Sequence, residues 1–303
     1  MASRVRKAKE LGLINPPRWL PDNTMFECMM GSVAYGASGD SSDMDIYGFC
    51  MPPKDVVFPH LAGHIPGFGK QPPKFEVWQE HHIKDTNARK EYDFAIYSLV
   101  RFFQLCMENN PNMVDALFVP RRCVLHSTAL YEHVRDNREL FLHKGSWYKF
   151  RGYANSQMSK LDAGSNRKNP KRQNDIEKHG WDLKFGYHIV RLFLECEQIM
   201  ETGTLRLDRD SEVYKSIRAG EWSLERLKKW AAGKEASMEV LYANSNLPNR
   251  PPEVKIKTLL LECLEMHYGS LGKAVVEEDK HGRLVRELEE LVCKHKLMCN
   301  VIY

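Results

Sequence analysis

Three acidic residues and one short turn carry the chemistry in this sequence. Phe26-Glu27-Cys28-Met29-Met30 reads as a buried strand, which Gly31-Ser32 breaks into a turn. A second strand, Asp45 to Cys50, follows with Asp43 and Asp45 at its mouth. Residues i and i+2 of a strand project to the same face, so the spacing predicts that Asp43 and Asp45 point together. Two like charges held so close are unfavourable unless cations neutralise them, so the pair predicts a divalent metal. The Gly-Ser turn offers backbone N–H groups and a hydroxyl to a polyanion. Metal-holding carboxylates beside a phosphate cradle are what nucleotidyl transfer requires. A further acid, Asp93, stands where a strand-like stretch, 89–94, gives way to a helical period, and is a candidate to join them. The same position suits an N-cap for a helix starting near Ala95, and both readings stand. Glu76 and Glu80, on a strand expected over 75–83, are the alternatives to Asp93 as the further acid.

The pattern Gly31-Ser32, spacer, Asp43-Met44-Asp45-Ile46 resembles the signature of the DNA polymerase beta-like nucleotidyltransferase superfamily. The resemblance is closest to the branch found beside RNA ligases in bacterial and phage RNA-repair operons. Tyr35, Gly36 and Ser42 fit that branch around the turn. Downstream, Asp93 to Tyr97, Asn110-Pro111-Asn112, Gly152-Tyr153-Ala154, Trp181 to Lys184 with His188 and Arg191, Thr202-Gly203 and Ile217 to Trp222 fit in order. Asp115 departs from it, standing where the branch usually has Glu. The match covers residues 25–260.

The resemblance implies an α/β + α fold, an N-terminal polymerase beta-like palm with a mixed sheet followed by a helical C-terminal domain. It also implies transfer of NMP from an NTP to a hydroxyl, with release of pyrophosphate. Asp43, Asp45 and Asp93 would be the catalytic, metal-holding acids for two Mg²⁺ ions, with Mn²⁺ as a substitute. Gly31, Ser32, Tyr35, Ser42, Lys184, His188 and Arg191 would bind the nucleotide. An RNA 3′ end, such as that of a broken tRNA, is the acceptor the branch suggests. The rival readings are a toxin-like transferase that adds AMP to a protein and an inactive RNA-binding scaffold.

Positive charge is modest overall, net +4, so its distribution has to point to a partner. Arg167, Lys168, Lys171 and Arg172 crowd a segment opened by Gly164-Ser165-Asn166 and split by Pro170. That composition predicts a loop rather than a helix, of a kind that touches RNA phosphates. Beyond it, Lys184, His188 and Arg191 fall at i, i+4 and i+7, one stripe of a helix. Stacked cations repel unless an anion lies between them, so the stripe reads as a clamp on phosphates. Tyr153 and Trp181 are candidates for stacking on a base; the other aromatic residues nearby read as core. His60, His64 and the pair His81-His82 are weak candidates for zinc, lacking any cluster of partners.

The elements expected to place these residues divide at 1–23 (a leader packed on the first strand), 24–125 (the catalytic α/β unit), 126–275 (helical) and 276–303 (a further helix). Apolar periods predict helices over 147–161, 176–200, 224–241 and 254–271. Hydrophobic content of 43% and charged content of 28% are those of a globular protein. No apolar run approaches the ~18 residues of a membrane span, and residues 1–12 lack the apolar core of a secretory signal. Eight cysteines include no C-x-x-C pair and read as buried thiols of a cytoplasmic protein.

Overall fold

The computed structural model describes residues 3–37, 44–65, 67–69, 74–86, 90–164 and 170–269. The chain divides into two compact units, residues 1–259 and 260–303. The second is described only as far as Gly269. The sheet and the helices treated below belong to the first, except the last helix, Glu253–Tyr268, which spans the division.

In chain order the elements are α1 (Arg4–Glu10), α2 (Leu20–Asn23), β1 (Thr24–Met29), β2 (Met44–Cys50), α3 (Lys54–Val57), β3 (Val77–Asp85), β4 (Lys90–Ser98), α4 (Leu99–Met107), α5 (Pro111–Leu117), β5 (Val124–Ser127) and α6 (Ala129–Asp136). The helical part follows with α7 (Ser146–Asp162), α8 (Pro170–His179), α9 (Leu183–Thr202), α10 (Ser211–Arg218), α11 (Leu224–Asn244) and α12 (Glu253–Tyr268). The strands form one five-stranded sheet in the order β3-β4-β2-β1-β5. The β2–β4 pair is parallel and the others are antiparallel. The mixed sheet and helical continuation are the expected α/β + α architecture.

Each sheet face has its own cover. Met44, Ile46, Tyr92, Phe94 and Ile96 alternate along β2 and β4 and bury against Val5, Ala8, Ile14 and Leu20 of the N-terminal segment. That segment is tethered by the buried carboxylate of Glu27 on β1, which accepts from the Ser3 hydroxyl and from the Arg4 and Val5 amides at the start of α1. A carboxylate there meets the first, otherwise unsatisfied, N–H groups of the helix. On the opposite face Phe26 stacks on Tyr131 of α6 at 3.9 Å, and Phe49 meets Phe102 of α4. The helical part is built around α9, which is largely buried and in contact with α7, α10 and α11.

Three boundaries differ from expectation. β4 runs through Asp93 to Ser98, and the hydroxyl of Ser98 caps α4 by accepting from the Arg101 amide. Asp93 is therefore mid-strand, and the N-cap reading is corrected. The helix expected over 176–200 is two helices. Gly180 adopts φ +80°, and Asp182 caps α9 by accepting from the amides of Lys184 and Phe185. Lys171 and Arg172 lie in the first turn of α8 rather than in a loop, because Pro170 supplies the preset φ of a helix start. The expected C-terminal helix over 276–303 falls outside the described residues. Among the described residues no helix is long and apolar enough to cross a membrane, and the six cysteines there are buried thiols.

Candidate active site

At the end of β1 the Met30 amide donates to the Asp45 carbonyl at 2.7 Å, drawing the chain across the mouth of β2. Gly31 follows with φ +76°, and a Cβ there would stand 2.8 Å from Asp45 Oδ2. Both the left-handed backbone and the close approach demand glycine. Gly31–Val33 forms a tight 3₁₀ turn, closed by Ala34 donating to the Gly31 carbonyl and Ala37 to that of Ser32. The turn thus sits directly on the carboxylate of Asp45.

Parallel pairing of β2 with β4 sets Asp45 opposite Asp93. Neighbouring strands lie ~4.8 Å apart, so two carboxylates share one face with nothing but the strand spacing between them. Met44, Ile46, Tyr92 and Phe94 occupy the other face. Asp93 is aimed by a bulge in β3. The register passes from Glu80↔Phe94 to Ile83↔Tyr92, so His81 and His82 together oppose Asp93. His82 takes φ +58°, uncommon for a side chain with a Cβ, and its amide donates to Asp93 Oδ1 at 2.7 Å. Its ring meets Glu91 Oε1 at 2.8 Å, while His81 Nδ1 stands 3.6 Å from Asp93.

Neither alternative third acid reaches this place. Glu80 pairs with Phe94, so it points to the face of the N-terminal segment, where it accepts from the Asn15 amide. Glu76 lies beyond the start of β3, beside Lys74 and Arg101. Asp93 is the acid that meets Asp45. Asp43 and Ser42 lie outside the described residues. Among the described residues, which include Asp45 and Asp93 but not Asp43, no group of three or more metal-ligating side chains forms.

A second cluster holds the turn from the helical side. Tyr35 donates its hydroxyl to Asp115 Oδ2 at 2.6 Å, and Arg191 donates to the same oxygen at 2.5 Å and to both oxygens of Glu195. The Arg191 guanidinium lies 4.3 Å over the Tyr35 ring. Arg191, Asp115 and Glu195 are all buried. Burial pushes the Asp115 and Glu195 carboxyls upward, against the pull of Arg191. For Arg191 burial opposes the charge, but Glu195, Tyr35 and Asp115 outweigh it and hold the guanidinium protonated. Arg122 donates to the Ala34 carbonyl and Arg218 to that of Ala37, so two more guanidinium groups fix the same turn. Gly36, at φ +67°, passes close to Ser211 at the start of α10.

This arrangement corrects two expected nucleotide contacts. The anion that the cationic stripe demands is supplied by the protein itself, so Arg191 anchors the turn and is not open to a phosphate. Tyr35, buried and bonded to Asp115, belongs to the anchor as well. Lys184 is exposed and His188 half-buried on α9, the latter against the Tyr187 ring. Trp181 is buried against Gly186 and is not placed to stack on a base, whereas Tyr153 is 38% exposed. Arg167 and Lys168 lie outside the described residues. Sequence reasoning missed Arg122 and the anchoring role of Arg218, and read His82 only as a weak zinc candidate. Their roles rest on a bulge and on long-range contacts, and an isolated His or Arg carries no local signal of either.

Residues 5–240 match the model of the RNA repair pathway DNA polymerase beta family. The chain belongs to this family. The Gly31 turn with Asp45 and Asp93 lies within the matched segment. Among curated proteins it is similar to an uncharacterized 38.9 kDa protein from the nrdC–mobD intergenic region of Enterobacteria phage T4. The two are 25% identical over 147 residues, 48% of this chain and 40% of the phage protein. The match thus spans about two-fifths of that relative's length. A solved nucleotidyltransferase-like protein from Exiguobacterium sibiricum aligns over 87% of this chain and 79% of its own at 12% identity, with a TM-score of 0.28, too low to add to the assignment.

Proposed function

We propose that the enzyme transfers NMP from an NTP to the terminal hydroxyl of an RNA 3′ end and releases pyrophosphate. The observation that carries this reading is the in-register pair Asp45–Asp93 with the Gly31 turn lying on the Asp45 carboxylate. Facing carboxylates with oxygen donors alone suit a hard divalent cation of the Mg²⁺ or Mn²⁺ class. Asp45 and Asp93 would hold it, with Asp43 as the third acid. When bound, such ions offset the charge that develops on the attacking and leaving oxygens.

The chain's own residues do the rest. The bulge amide of His82 occupies one oxygen of Asp93 and fixes the direction of the other. The turn, anchored through Tyr35, Arg122 and Arg218, brings Ser32 and its backbone to the triphosphate, and Lys184 adds a point charge from α9. In the reaction the acceptor oxygen bonds to the α-phosphorus, the bond from that phosphorus to the bridging oxygen breaks, pyrophosphate leaves, and the hydroxyl proton passes to solvent. The basic segment Arg167–Arg172 holds RNA phosphates.

Incubation with each α-labelled NTP, RNA and Mg²⁺ tests the proposal. Label in nuclease-sensitive, protease-resistant material supports it. Label in protein would replace RNA with a protein acceptor.

A further inference from the structure

Resting on that reading, we infer that Tyr47, Tyr97 and Tyr153 form a stacking track for the unpaired bases of the acceptor strand, leading away from the Asp45–Asp93 pair. Strand alternation sets Tyr47 on the same face as Asp45, and Tyr97 on the same face as Asp93. All four are half-exposed, while their neighbours Met44, Ile46, Tyr92, Phe94 and Ile96 are buried on the other side. The face that carries the acids thus keeps Tyr47 and Tyr97 partly open to solvent, while Phe49 farther along it is buried under α4 and α6.

The two strand tyrosines adjoin, with ring centroids 6.5 Å apart. Tyr153, from α7, extends the row. Its hydroxyl is held by the side-chain amide of Asn110 at 3.1 Å, and it remains one of the few exposed large aromatic residues. Burial, then the Gln79 side chain and Arg101, govern the Tyr97 hydroxyl, and Tyr153 is close enough to push it upward as well. Along β2, Tyr47 stands two residues from Asp45 on the same face and beside the Tyr97 ring.

A row of tyrosines that only covered a sheet would not require exposed faces, nor would it begin beside a candidate catalytic pair. Single-stranded RNA is gripped through aromatic faces on which successive bases stack, with polar groups alongside for base edges and backbone. Gln79, Arg101 and Asn110 border the track as such groups. Hydroxyls bonded to Gln79 and Asn110 fix the Tyr97 and Tyr153 rings in advance, which lowers the ordering cost of binding.

The test is binding of a fluorescent single-stranded oligoribonucleotide, read by anisotropy without NTP. Tyr97→Ala and Tyr153→Ala should each weaken binding roughly 5- to 150-fold, the cost of losing one stacked base. Tyr97→Phe and Tyr153→Phe, which keep the ring, should bind as the wild type does, with thermal unfolding confirming that all four variants are folded. An abasic strand of equal length should bind weakly and be indifferent to these changes. The NTP Kd should be unchanged. Wild-type RNA affinity in both Ala variants would overturn the track. So would a loss confined to NTP affinity, since the stacked base would then be that of the incoming nucleotide. Labelling of RNA by the wild type separates the two proposals. Label in RNA from the wild type, with wild-type binding by the Ala variants, removes the track alone, whereas no label in RNA from the wild type removes the acceptor reading.

Discussion

Asp45 and Asp93 face each other across a parallel ladder, and at that separation two ionised carboxylates oppose folding unless a cation joins them. Asp45→Asn should therefore raise the melting temperature in metal-free buffer and remove most of the stabilisation that Mg²⁺ gives the wild type. Calorimetric scans across a Mg²⁺ titration check both effects, and the sign follows from mass action on the folded state. The residues of this pair differ in how openly the sequence declares them. Gly31 and Asp45 are legible because a turn and the strand after it are local. Asp93 is legible only as an acid at a change of period, since its partner is set by a register between strands far apart in the chain. Arg191 reads as a ligand because a stripe of cations calls for an anion, and Tyr35 only through the family resemblance; no local pattern reveals that Asp115 and Glu195 provide the anion.

At the scale of elements, the β3 bulge and the α9 anchor each aim one part of the site. His82 spends φ +58° to direct an amide at Asp93. His82→Gly relieves that strain and keeps the amide, so stability should rise and activity persist. His82→Val, β-branched and poorly tolerated at positive φ, should lower stability by about 1–2 kcal/mol and kcat more than the KM for NTP. Denaturant titration and steady-state kinetics read the two effects. Arg191→Met leaves two buried carboxylates without their cation and should cost about 3–5 kcal/mol, in the same titration. Most strands and helices were legible from period. The break between α8 and α9 was not, because only Gly180 and Asp182 mark it and Ile176 falls in step with the apolar residues of α9.

The whole molecule inherits a pH dependence from the carboxyls buried between its parts. Burial raises Glu195 well above its ordinary value, and Asp115 and Glu27 shift in the same direction. A group with a raised folded pKa binds its proton more tightly in the folded state. Its contribution is full below the unfolded value near 4.5 and is lost as pH rises through the folded pKa. Stability should thus decline from mildly acidic toward alkaline pH, and Glu195→Gln, which cannot ionise, should flatten that decline. Unfolding free energies measured from pH 5 upward give the slope. The mixed sheet with its helical continuation was legible from the order of strand and helix periods. The grip of the helical part on the Gly31–Ala37 turn was not, since it depends on arginines that meet backbone carbonyls only after folding.

The central claim is that Asp45 and Asp93 act together on one phosphoryl transfer to RNA. Its most direct test is the rate at which labelled NMP enters RNA in saturating Mg²⁺, for wild type, Asp45→Asn, Asp93→Asn and the double variant. Each single change should abolish incorporation at intact fold, and the double should be no worse than either. A single variant that keeps a substantial share of wild-type rate would contradict the account.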